Sequence, residues 1–124
     1  MNHLLKKVNS LDTRKNEEQL KLEFYSVVIG VILSTDLFKK NKDLKVLFDE
    51  FKVEIPLKDY LYDSRTALLA RVIREIESSE KEILAFNIRL VREFMDSLET
   101  KKPNEITDLI NKYSRNKVGA GISE

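Results

Sequence analysis

The sequence predicts an all-α protein, a single-domain bundle of four to five helices built around a buried helix at about residues 16–35. Three observations lead there. The run Phe24 to Leu33 is almost unbroken in apolar side chains, and on a helix the apolar residues from Leu20 to Leu33 cover roughly two-thirds of the circumference. Two further long segments, 58–77 and 80–99, carry apolar residues at three- and four-residue steps. Alternation at a period of two occurs only at Phe51, Val53, Ile55 and Leu57, where Pro56 cannot donate to a ladder and no second run offers a mate.

Met1 to Leu11 has Leu4, Leu5, Val8 and Leu11 at helical spacing, enough for a short amphipathic turn or two able to dock on a neighbour. The central helix opens at Asn16, whose side chain suits an N-cap, and Glu17 and Glu18 face the positive end of the helix dipole. A buried strand over 27–33 is the alternative for this run, disfavoured by the length of the surrounding helical pattern. The narrow polar strip of the helix is small: Ser26, Gly30 and Ser34 recur every four residues, first of all the less buried edge of a core helix and, as the candidate site, a shallow groove for the close approach of another backbone.

The polar stretch 39–43 breaks the chain, and Asn41 is the expected cap of a short helix presenting Leu44, Leu47, Phe48 and Phe51. Residues 51–57 are expected to be an extended connector. A helix is predicted over Lys58 to Glu77, with Arg65 at the centre of an arc formed by Leu61, Tyr62, Leu68, Leu69, Val72, Ile73 and Ile76. Ser79 and Glu82 have the form of a capping box, which favours a reversal there over one continuous helix of about forty residues. The next helix, Glu80 to Glu99, gathers Ile83, Leu84, Ile88, Leu90, Val91, Phe94, Met95 and Leu98 on one side. Asn87 lies among them, and Glu82, Arg89, Arg92, Glu93 and Asp96 take the other side. Pro103 opens a last helix with Ile106, Leu109, Ile110 and Tyr113, and residues 118–124 are expected to form a loose tail beyond a domain of residues 1–117.

Composition narrows the function classes. A chain of 124 residues with 42% hydrophobic and 35% charged residues is the size and character of one globular domain. Twenty-two basic against 21 acidic residues leave a net charge of +1, so no overall field draws it to nucleic acid or anionic lipid. The lack of cysteine removes disulfides, thiolate nucleophiles and sulfur-ligated metal sites, and with no targeting segment or membrane span in view the expected location is cytoplasmic. No cofactor or metal is expected. His3 is the only histidine, which leaves out paired histidine ligands, and no glycine sits in a strand-to-helix turn fit for phosphate.

Two candidate sites stand out against this background. Arg65 and Asn87 are polar residues on apolar faces and need partners. After a reversal near Ser79 they would lie at neighbouring levels and share one network; on a continuous helix they would be about 33 Å apart. The favoured role is structural, fixing helix register, ahead of a ligand site. The second site is basic: Lys39, Lys40, Lys42 and Lys45, with Lys112, Arg115 and Lys117, would contact phosphates on a nucleic-acid reading. Asp36, Asp43, Asp49 and Glu50 surround the first four, and Glu75 faces Arg71 at i+4, so local neutralisation is the simpler account. The expected function is therefore a small non-catalytic helical protein-interaction module that self-associates as a homodimer. The alternative is a nucleic-acid-binding accessory protein using 39–45 and 112–117.

Overall fold

The computed structural model describes residues 2–99. Among them there are five α-helices and no strand: α1 Asn2–Asn9, α2 Glu17–Leu33, α3 Lys45–Phe48, α4 Arg65–Ser78 and α5 Lys81–Glu99, with 3-10 turns at Asn41–Leu44 and Asp59–Asp63. The last predicted helix, opened by Pro103, and the tail 118–124 lie outside the described residues. No helix among those described is long and apolar enough to cross a membrane.

Helix α2 is the hub, packed on α1, α4 and α5. Asn16 caps it as its residue type requires, the side-chain oxygen accepting the amide of Gln19 at 2.8 Å. Leu20, Phe24, Val27, Val28, Val31 and Ile32 are buried, each stabilising the fold by about 1.5–3 kcal/mol relative to exposure. Not every apolar side chain of α2 is covered among the described residues. Leu22, Ile29 and Leu33 keep 61%, 41% and 47% of their surface, a face of α2 on which α1, α4 and α5 do not close.

Helix α4 runs antiparallel to α2, with Lys21 at its C-terminal end and Ile32 beside its first residue. It is shorter than predicted. Ser64 is extended and its hydroxyl caps the new helix by accepting the amide of Ala67 at 3.3 Å, so 59–63 is a separate 3-10 turn and Arg65 opens α4 instead of sitting mid-helix. The reversal after Ser78 is present. Ser79, expected to cap α5, instead donates its hydroxyl to the carbonyl of Glu75 at 2.5 Å, finishing α4. Asn41 does not cap the short helix either; the carboxylate of Asp43 accepts the amide of Lys40 at 3.1 Å, and Asn41 turns towards Arg65.

Three helix C-termini are closed by cations from other helices, and α2 and α4 have no basic residue in their own last turn. Arg65 of α4 donates to the carbonyls of Ile32 and Ser34 at 2.9 and 3.2 Å at the end of α2. Lys21 of α2 donates to the carbonyl of Glu77 at 2.7 Å near the end of α4. Arg92 of α5 donates to the carbonyl of Leu11 at 2.8 Å, just past α1. Arg92 was assigned to the solvated face of its helix; the docking of α1 on α5 brings these carbonyls to it.

Candidate functional site

The exposed face of α2 has a definite spacing. Leu22, Ser26, Ile29 and Leu33 follow at four, three and four residues, a 3.5-residue repeat along one line of the helix. Ser26 is half-buried and donates its hydroxyl back to the carbonyl of Glu23 at 3.0 Å, so it offers the seam a small, internally satisfied step. Half-buried Tyr25 borders the seam, its phenol pKa raised by burial and by the charge of Glu77 on α4. The signal for this face was in the sequence, in the apolar residues that encircle the helix, but periodicity alone does not say which neighbour is missing.

Of the groove expected at Ser26, Gly30 and Ser34, the Gly30 position is occupied. A Cβ built on Gly30 would stand 2.8 Å from Cδ1 of Leu4, so α1 crosses α2 at the glycine. Ser34 belongs to the end of the helix, its hydroxyl accepting the amide of Leu37 at 3.1 Å. Beside this crossing lies a small pocket of about 320 Å³ lined by His3, Leu4, Lys7, Gly30, Ser34, Asp36 and Leu37. His3 is exposed there.

Arg65 and Asn87 do not meet. The guanidinium of Arg65 donates to the carbonyls of Ile32, Ser34 and Phe38 and, at 2.8 Å, to the side-chain oxygen of Asn41. Asn87 serves the connector: its oxygen accepts the amide of Lys52 at 2.9 Å and its nitrogen donates to the carbonyl of the same residue at 3.1 Å. Two residues on, the amide of Glu54 donates to Glu75 at 2.8 Å, and the carbonyl of Ile55 accepts from Arg71 at 3.2 Å. Side chains of α4 and α5 thus take the place of a sister strand, as an extended run without a mate requires. The two residues are separated because α4 packs chiefly on α2 and α5 on α1, more than on each other.

Glu75 is the residue the sequence hid most effectively. It is buried, 7% exposed, and its second oxygen pairs with Arg71 at 2.6 Å. Its pairing with Arg71 was legible from i, i+4 spacing, its burial was not. Between the connector and the α4–α5 turn runs an open groove of about 780 Å³, floored by Phe48, Phe51, Val53 and Ile83 and rimmed by Lys52, Glu54, Glu75 and Ser79.

The basic candidates are only partly a patch. Lys39, Lys40 and Lys42 are exposed, whereas Lys45 pairs with Asp59 at 2.6 Å and stands over the ring of Tyr62. Lys112, Arg115 and Lys117 lie outside the described residues. No group of three or more histidine, cysteine or carboxylate side chains gathers to hold a metal ion among the described residues. Compared with known proteins, the chain matches no family model, no curated protein and no solved structure.

Proposed function

We propose that this chain is a small, non-catalytic helical interaction module of the cytoplasm that self-associates through the open face of α2. The observation that carries the reading is the row Leu22, Ile29 and Leu33, three large apolar side chains in register on the central helix of the bundle. The buried polar side chains support it from the other direction. Arg65, Glu75 and Asn87 are engaged with backbone groups and with one another's neighbours, which makes them parts of the scaffold.

Light scattering coupled to size exclusion tests the reading. The wild-type chain is expected to approach twice 14.5 kDa as concentration rises, and Leu22→Glu, a change at the most open ridge position, to stay at 14.5 kDa with its circular dichroism unchanged. A wild-type chain of 14.5 kDa at every concentration would end the proposal.

A further inference from the structure

We infer that the partner on this ridge is a second copy of the chain, its α2 laid antiparallel across a two-fold axis so that Leu22 meets the partner's Leu33 and Ser26 meets the partner's Ile29. The inference rests on the self-association reading and adds direction and register to it. In an antiparallel pair of helices the two alternating seam positions face each other, and the spacing of this seam places Leu22 against Leu33 in both outer layers. The two inner layers each combine Ile29 with the small Ser26, which leaves room for the larger side chain. The paired stretch from Leu22 to Leu33 is roughly 16 Å of helix.

Charge selects this direction over the parallel one. The first turn of α2 carries exposed Glu17 and Glu18, and just beyond its C-terminus Lys39 and Lys40 are exposed. Glu18 and Lys39 have no charged partner within the described residues. Antiparallel pairing carries the acidic turn of each copy past the partner's Leu33 towards the partner's Lys39 and Lys40, and sets the helix dipoles head to tail. Parallel pairing would bring the two Glu18 side chains together at one end, Glu17 being paired with Lys21 at 3.4 Å, and stack Ser26 on its own copy. Both complementary ends belong to one chain, so the ridge is suited to itself.

Because the chain contains no cysteine, introduced thiols report the register directly. Leu22→Cys and Leu33→Cys, mixed in equal amounts and oxidised gently, are expected to give a disulfide-linked heterodimer, while each alone links slowly, its two thiols lying far beyond the reach of a disulfide. Glu18→Lys is expected to weaken association roughly tenfold at low salt, and adding Lys39→Glu and Lys40→Glu to it to restore most of the loss. Rapid linking of Leu22→Cys to itself would overturn the antiparallel register while leaving self-association standing. A light-scattering dimer that links through neither position would do the same by moving the contact to another face. A monomer would remove both readings: one with the thiol at position 22 shielded from alkylation would give the ridge to the chain's own residues 100–124, and one freely alkylated would leave it uncovered.

Discussion

Arg65 directs its guanidinium at carbonyls of the α2 terminus and at the amide oxygen of Asn41. Planar, multiply donating geometry suits that task better than an ammonium, because several acceptors are served from one position. Arg65→Met is expected to cost about 3 kcal/mol, since three carbonyls at a helix end lose their donor together, and Arg65→Lys to recover about half. Urea unfolding of the three proteins checks the order. The sequence marked Arg65 as needing partners, which it has, but placed it mid-helix, because the break at Ser64 was hidden in a stretch whose apolar spacing continues from Leu61 to Ile76. Arg92 and Lys21 carried no mark at all: a long cation on a helix reads the same whether it ends in water or at another helix's carbonyl.

Tyr62 gives a pH dependence. Burial, and then the negative charge of Asp49 beside its hydroxyl, push the phenol pKa well above the ordinary tyrosine value. The folded chain therefore keeps the proton after the unfolded chain has released it. Its contribution is fully present below about pH 10, the unfolded value, and is lost progressively as pH climbs towards the raised folded value. The fall in unfolding midpoint above pH 10 is expected to be visibly shallower in Tyr62→Phe, and titration by urea melts decides it. An unchanged slope would place the alkaline sensitivity in other groups.

At the scale of elements, the crossing of α1 over α2 turns on Gly30. Replacing it with alanine raises helix propensity by about 1 kcal/mol, but the new methyl meets Leu4 at its movable end, so the side chain has to turn away. The two effects are expected to offset in Gly30→Ala alone. Combined with Leu4→Ala, the same change is expected to stabilise by about 0.5–1 kcal/mol relative to Leu4→Ala, a coupling that thermal melts of the four proteins measure. Helices α2 and α5, the Asn16 cap, the reversal after Ser78 and the unpaired connector were all legible, since each follows from local periodicity or from a residue with one strong preference. What local pattern could not supply was the pairing of helices. The steps that put Arg65 and Asn87 on apolar arcs say nothing of whether those arcs face one another, and α4 and α5 choose different neighbours.

Among the described residues the molecule is a hub helix with one side left open. Apolar excess on α2 signalled that more than one neighbour was needed, and two of its sides are indeed filled by α1 and α4. The third could not be assigned from sequence because coverage by a further segment and coverage by a twin use the same side chains. Lys45 shows the limit in the opposite sense: a cluster of lysines looks like a patch until the fold brings Asp59 beside one of them.

The borrowed closures of the helix ends bear on how the chain is made. Synthesis runs from the N-terminus, yet the end of α2 waits for Arg65 and the end of α1 for Arg92, so both helices emerge with frayed tips that only later residues tie off. A nascent chain halted before residue 65 holds its most apolar segment unfinished, the state in which such a segment is most apt to aggregate.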